Sequence, residues 1–133
     1  ESLMILRTKD LIAVPWKVEL PGDGAKPVLY VNSRIPDALT RAKSDPSFFV
    51  LVMPAALQQV LQRLILEEPD EDDTDALALR NRWVEMATDL DSAPPDSEDT
   101  DELASWVDRV VESFCKRMDL TNVLNTHLEE SGQ

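Results

Sequence analysis

The N-terminal third of the chain alternates between apolar and polar positions with the period of a β-strand. In residues 11–20 every even position is apolar, and a period of two predicts a half-buried strand. Pro15 has no N–H to donate, so we expect this strand at a sheet edge or bulged. A Pro-Gly-Asp-Gly turn then leads to the apolar segment 27–31, which predicts a hairpin. Residues 3–7 are a candidate earlier strand of the same sheet.

A short apolar run follows at residues 48–53, Phe-Phe-Val-Leu-Val-Met. Its length and its β-forming residues predict a strand buried on both faces. Pro54 comes next, and proline is tolerated in the first turn of a helix. The apolar residues after it recur at helical spacing, at Leu57, Val60, Leu61, Leu64 and Ile65. The pattern therefore predicts that a helix begins at Pro54.

Three more amphipathic helices are predicted at about residues 75–90, 101–118 and 120–130, and a short one at 37–43. Asp99 and Glu102 are spaced as a capping box at the start of the longest, and a break is expected near Asp119. The pattern predicts one α+β domain over residues 1–133, with three or four mostly antiparallel N-terminal strands packed against three or four C-terminal helices. The β-rich part would cover about 1–53 and the helical part about 54–130. The chain begins at Glu1, which is compatible with a fragment of a longer protein.

The formal net charge of −13 is concentrated in one region. Residues 1–66 carry eight Lys/Arg against six Asp/Glu, whereas residues 67–112 carry three against seventeen. Such a field repels phosphate backbones and anionic lipid surfaces, so we expect neither direct nucleic-acid binding nor membrane docking. Two acidic loops are predicted, at about 67–75 and 89–100. Solvated loops are the simplest explanation, and attraction to a partner is the alternative, through Glu67, Glu68, Asp70, Glu71, Asp72 and Asp73.

Residues with catalytic or ligand-binding potential are few. Cys115 and His127 are the only cysteine and histidine, so no zinc ligand set is available. Three glycines form neither a P-loop nor a dinucleotide fingerprint. The acidic run from Asp70 has Asp75 where a calcium loop needs glycine. We therefore predict no catalytic residue, no cofactor and no metal ligand.

Each tryptophan lies on the apolar face of a predicted element. Core packing is the default for such residues, and an anchor in a protein interface is the alternative. The candidate interface anchors are Trp16, Trp83 and Trp106.

These observations favour a non-enzymatic protein–protein interaction or assembly module, an accessory subunit of a larger complex. The expected partner is another protein, for example a basic one, or a second copy of the chain. No uninterrupted apolar run approaches the length of a membrane span, and we expect a cytoplasmic protein. Two alternatives stay open: an acidic inhibitor that mimics nucleic acid, and a metal-dependent enzyme that uses carboxylates alone.

Overall fold

A computed structural model describes residues 2–67 and 69–132. It has a three-stranded N-terminal sheet with five helices packed against it, which confirms the α+β class. The strands are β1 (Ile5–Lys9), β2 (Trp16–Glu19) and β3 (Val28–Asn32). The helices are α1 (Ala38–Ser44), α2 (Pro46–Leu66), α3 (Thr74–Leu90), α4 (Thr100–Arg117) and α5 (Leu120–Ser131).

The sheet is mixed, with strand order β1-β3-β2. β2 and β3 form the predicted antiparallel hairpin, with Trp16 opposite Val31. β1 pairs parallel to β3, with Ile5 opposite Val28. The expectation of a mostly antiparallel sheet is therefore only half right, because the period of two reports which face is buried and not the direction of the neighbouring strand.

The strand predicted at residues 11–20 is shorter than expected. β2 begins only at Trp16, because residues 11–14 form a turn in which the Val14 N–H donates to the Leu11 carbonyl at 3.3 Å. β2 does lie at an edge of the sheet, as Pro15 predicted. The even positions remain apolar through the turn, so the pattern conceals it.

The strand predicted at residues 48–53 is wrong, because this segment belongs to α2. Asp45 caps the helix by accepting from the Ser47 N–H at 2.9 Å, and Pro46 occupies the first turn. Pro54 lies inside the helix, where it removes one backbone hydrogen bond without ending it. The helical part of the chain therefore begins well before residue 54, and the apolar run supplies one face of a long helix.

The later helices begin where the sequence predicted, within a residue. The Asp73 carboxylate accepts from the Ala76 N–H at 3.1 Å at the start of α3. The Asp99 carboxylate accepts from the Asp101 N–H at 2.9 Å at the start of α4. The break before α5 falls at Asp119, whose φ is 52°. Aspartate side chains therefore cap α3 and α4, as expected of N-cap residues, whereas α5 begins after a left-handed residue whose side chain makes no capping hydrogen bond.

Helix α2 is the centre of the hydrophobic core. It contacts every other helix and strand β2, and its buried residues are Val52, Ala56, Leu57, Val60, Leu61 and Ile65. By length and composition alone α2 could also cross a membrane, although its apolar residues do not form one uninterrupted run. Core helices of water-soluble domains meet the same criterion, and the other elements of this fold cover one side of α2.

Candidate functional site

The acidic residues predicted to bind a partner lie around the loop between α2 and α3. Glu67, Asp70, Glu71 and Asp72 are exposed, whereas Asp73 is half-buried and serves as the cap of α3. Glu68 lies outside the described residues. Within ranges 2–67 and 69–132, no three Asp, Glu, His or Cys side chains are placed to hold a metal ion. The loop thus presents solvated carboxylates that do not converge on one point.

Two of the three candidate anchor tryptophans are core residues. Trp106 is 0% exposed, and its indole Nε1–H donates to the Ser92 carbonyl at 2.9 Å. Trp83 is 3% exposed, and its Nε1–H has no hydrogen-bond partner among the described residues. Neither offers the surface that an interface anchor needs. Trp16 is half-buried against the core, and its role as an anchor stays a prediction.

The single cysteine and the single histidine lie in separate parts of the helical layer. Burial raises the pKa of the Cys115 thiol above its ordinary value, which disfavours the reactive thiolate. His127 lies at the contact between α5 and the start of α2, with its Nε2 3.7 Å from Asp45 Oδ1. Each position fits a packing role and supplies no nucleophile–base pair.

The most unusual surface feature is the turn at residues 11–14, which we call the Ile12 turn. Ile12 is 69% exposed and Val14 is 47% exposed. Ile12 also has a φ of 61°, in the left-handed region where a β-branched residue is a genuine outlier. Backbone strain of this kind costs about 1–3 kcal/mol and persists only where surrounding structure enforces it. The chain therefore holds an apolar side chain in water on a strained backbone.

Asn32 enforces this conformation from the end of β3. Its side chain is buried, with 4% of the residue exposed. Its Nδ2 donates to the carbonyls of Ile12 at 2.9 Å and Val14 at 3.0 Å. Its Oδ1 accepts from the N–H groups of Leu11 at 3.4 Å and Arg34 at 3.0 Å. One buried amide thus ties both sides of the turn to the sheet.

Asp10 and Arg34 form a second, exposed support of the turn. Asp10 Oδ1 accepts from the Ile12 N–H at 3.0 Å. The Arg34 guanidinium donates to both carboxylate oxygens, at 2.7 Å to Oδ1 and 3.3 Å to Oδ2. The hydrogen bond from Arg34 holds the pKa of Asp10 below its ordinary value, and the hydrogen bond from the Ile12 N–H makes the next largest contribution. The backbone of the turn is therefore fixed from two sides.

The strands that flank the turn carry a mainly basic outer face. Arg7 and Lys17 both lie opposite Tyr30 in the sheet register, so these three side chains share one face. Lys9 Nζ lies 5.1 Å from the centre of the Tyr30 ring. Glu19 is the acid of this face, 3.9 Å from Lys9 Nζ and 3.7 Å from Lys17 Nζ. The apolar turn thus projects from the basic part of the molecule.

A groove of about 170 Å³ lies where the N-terminal segment meets α2, α3 and α4. We call it the methionine groove, after three of its lining residues. It is lined by Ser2, Leu3, Met4, Met53, Leu57, Trp83, Met86 and Phe114. Trp83 is also the residue whose buried indole N–H lacks an acceptor among the described residues.

Sequence reasoning missed the Ile12 turn because Ile12 and Val14 fit the buried face of a strand. One signal could have revealed it: residues 11–14 are four consecutive apolar residues, Leu-Ile-Ala-Val, so the alternation is strict only from Pro15 onward. The supporting role of Asn32 had no local signal, since it lies 20 residues away in the chain.

No family model, no curated protein and no solved structure matches this chain.

Proposed function

We propose that this chain is a non-enzymatic protein-binding module, an accessory subunit of a larger cytoplasmic complex, and that it contacts its partner through the Ile12 turn. The observation that carries the proposal is the combination at Ile12 of high exposure, a left-handed backbone and a buried amide that holds it. Folding alone gains nothing from any exposed apolar side chain on a strained turn. A binding partner that buries the side chain accounts for it.

The rigidity of the turn also supports binding. Ordering a flexible loop on association costs free energy, and a loop fixed before the encounter avoids that cost. A few well-placed apolar anchors provide most of the energy of many interfaces. Asn32 and Asp10 fix the backbone, so Ile12 and Val14 are presented in one conformation.

The two alternative functions find less support in the geometry. A nucleic-acid mimic needs carboxylates fixed at phosphate-like spacing, whereas Asp70, Glu71 and Asp72 are exposed loop residues. An enzyme that uses carboxylates alone needs acids gathered around an ion, and no such group occurs in the described part of the chain. The Ile12 turn supports neither function.

Affinity capture with the full chain tests the proposal. Tagged wild type, Ile12→Asn and Leu51→Gln proteins would be incubated with extract from the natural source, and the retained proteins identified by mass spectrometry. Leu51 is 66% exposed on α2, so it is the control for loss of an exposed apolar side chain elsewhere. We expect a partner that is retained by wild type and Leu51→Gln and lost with Ile12→Asn. Identical retention by all three proteins would overturn the proposal.

A further inference from the structure

We infer that the open edge of β1 accepts an extended segment of the partner protein, and that this segment carries acidic side chains at alternate positions. The inference rests on the proposed function, to which it adds how the partner binds and what chemistry it presents. In strand addition, main-chain hydrogen bonds give affinity and side chains give specificity. β1 ends at Lys9, three residues before Ile12, so one partner can contact both the edge and the Ile12 turn.

The main-chain groups in the middle of β1 are unpaired. The Ile5 N–H and the Lys9 carbonyl each make a 2.9 Å hydrogen bond to a residue that adjoins β3. Alternate residues of a strand direct their main-chain groups to opposite sides, so Leu6 and Thr8 point away from β3. No described residue pairs with the N–H or the carbonyl of either residue. β1 therefore presents two donors and two acceptors along its outer edge.

Elsewhere on the sheet edges the chain uses its own side chains as cover. At the opposite edge, the Val18 carbonyl of β2 accepts from the Arg63 guanidinium of α2 at 3.4 Å. Just before β1, Ser2 Oγ donates to the Met4 carbonyl at 2.6 Å and accepts from the Met4 N–H at 3.4 Å. The middle of β1 has no such cover among the described residues, so another strand can be added there.

Basic side chains line this open edge. Arg7 and Lys9 are exposed, and they share one face because they are two residues apart in a strand. Among the described residues Arg7 has no ion-pair partner, and Lys9 shares Glu19 with Lys17, at 3.9 and 3.7 Å. The sheet belongs to residues 1–66, which carry eight bases against six acids although the net charge of the chain is −13. An incoming strand therefore meets positive charge.

The spacing of these bases specifies the acids of the partner. Side chains opposite each other on neighbouring strands lie about 4.5–5.5 Å apart, and opposite charges in these positions are stabilising. Acids opposite Arg7 and Lys9 must themselves be two residues apart. The residue between them lies on the other face of the sheet, with Thr8. The expected segment therefore alternates acidic residues with uncharged strand-forming ones.

A second copy of the chain is a poor occupant of this edge. Two β1 strands that pair antiparallel about Arg7 would place the two Arg7 side chains opposite each other, and like charges there are destabilising. Charged side chains on edge strands are a common device against self-pairing. The bases therefore select against the chain itself and for a strand of opposite charge.

Synthetic peptides test the inference directly. The probe is a fluorescent peptide, Thr-Val-Glu-Val-Glu-Val-Thr, and its control has lysine in place of both glutamates. Two further peptides carry N-methyl groups, one on both glutamates and the other on the valine before each glutamate. Only one set of alternate N–H groups can face β1, so strand addition predicts that one methylated peptide loses binding and the other retains it.

Fluorescence anisotropy with the full chain measures the affinities at about 0.1 M salt, where charges more than about 10 Å away are screened. We expect saturable binding of the glutamate peptide and about tenfold weaker binding of the lysine peptide. The double variant Arg7→Glu, Lys9→Glu should reverse this preference. The control combines Arg82→Glu with Lys116→Glu, which makes the same change of charge at exposed positions on α3 and α4.

Thr8→Pro is a second variant in case the charge reversal prevents folding. It removes an N–H that β3 does not use, and proline is tolerated on edge strands. We expect about fivefold weaker binding of the glutamate peptide, because one main-chain hydrogen bond is lost. Circular dichroism establishes that each variant is folded.

Amide hydrogen exchange locates the contact. In the free protein the Leu6 and Thr8 N–H groups should exchange faster than that of Arg7, which β3 protects. A saturating amount of the glutamate peptide should slow exchange at Leu6 and Thr8 at least about tenfold. Exchange at Trp16, on the opposite edge of the sheet, should not change.

Each failure has a distinct meaning. Absent peptide binding, equal binding of the glutamate and lysine peptides, equal effects of the two methylated peptides, or unchanged exchange at Leu6 and Thr8 would overturn the inference. Protection of these two amides that grows with protein concentration alone would also overturn it, because a second copy would then occupy the edge. If no peptide binds yet Ile12→Asn still loses a captured partner, the protein-binding function stands and only strand addition fails.

Discussion

The Ile12 turn and the loop between α2 and α3 are both on the surface, but they expose opposite chemistry. In the Ile12 turn the polar side chains of Asp10 and Asn32 hold the backbone, and apolar Ile12 and Val14 face solvent. In the described part of the loop between α2 and α3 the exposed side chains are carboxylates, and Asp73 caps a helix. Water solvates the carboxylates of the loop readily and the aliphatic side chains of the Ile12 turn poorly.

The difference shows which surface needs an explanation beyond solubility. A charged loop in water has no cost that binding must offset. A strained turn with exposed aliphatic side chains lowers the stability of the free protein, so its presence points to a bound state. The acidic run is the more conspicuous feature of the sequence, yet the Ile12 turn is the better candidate for binding.

Replacing Asn32 with alanine should have the largest effect. Asn32→Ala removes four hydrogen bonds from a buried site and should cost about 3 kcal/mol of unfolding free energy. The melting temperature should fall by about 10 °C. Asn122→Ala is the matched control, because Asn122 is exposed and, among the described residues, its Nδ2 donates to Asp119 Oδ2 alone. A loss below about 1 kcal/mol for Asn32→Ala would mean that the turn is not held in the way described.

Gly24→Ala should have the next largest effect on stability. It tests the contact between the turn before β3 and the start of α3, which follows the acidic loop. Gly24 has a φ of 77°, and a Cβ there would lie 2.6 Å from Asp75 Cβ at the start of α3. The clash and the strained backbone together should cost about 2 kcal/mol in chemical denaturation. Gly22→Ala is the control, since its φ is 92° but a Cβ meets nothing within 4 Å. Equal losses for both variants would argue against a close contact between this turn and α3.

Ile12→Asn should change stability and binding in opposite directions. Asparagine tolerates the left-handed backbone better than isoleucine and removes an exposed apolar side chain. We expect unfolding free energy to rise by up to about 1 kcal/mol, measured in urea, while partner capture is lost. A variant that loses both stability and binding would instead indicate that Ile12 has a structural role.

Acid should weaken the Ile12 turn through Asp10. The pKa of Asp10 is lowered in the folded chain, first by the hydrogen bond from Arg34 and then by that from the Ile12 N–H. Its stabilising contribution is therefore present above the ordinary pKa of about 3.9 and is lost as pH falls through the lower folded value. Asp10→Asn should flatten the decline in stability on acidification through this range, in urea titrations at several pH values. An unchanged pH profile would contradict the proposed support of the turn.

Neutralising the acidic loop should have the smallest effect. The combined substitution Asp70→Asn, Glu71→Gln and Asp72→Asn alters exposed side chains and should change unfolding free energy by no more than about 0.5 kcal/mol. Asp73→Asn is the comparison, because Asp73 caps α3 and asparagine remains a good cap. A large change for the triple variant would mean that these carboxylates have specific partners.

Local pattern determined much of the helical part of this protein. The apolar spacing placed α3 within a residue of its observed start, and together with the capping residue Asp99 it did the same for α4, because a helix end is decided by groups three or four residues apart. The antiparallel hairpin was predictable for the same reason, since its turn is local. The run at residues 48–53 was not, because a short apolar run fits a buried strand and one face of a long helix equally well.

Tertiary structure alone decided the features of the candidate sites. Trp83 and Trp106 look alike in the sequence, yet only Trp106 finds an acceptor for its indole N–H among the described residues. The methionine groove combines residues from four separate segments, and the backbone of Ile12 is fixed by an amide that lies 20 residues away. Period and capping describe neighbours along the chain, whereas a buried hydrogen bond or a groove depends on which distant groups folding brings within contact distance.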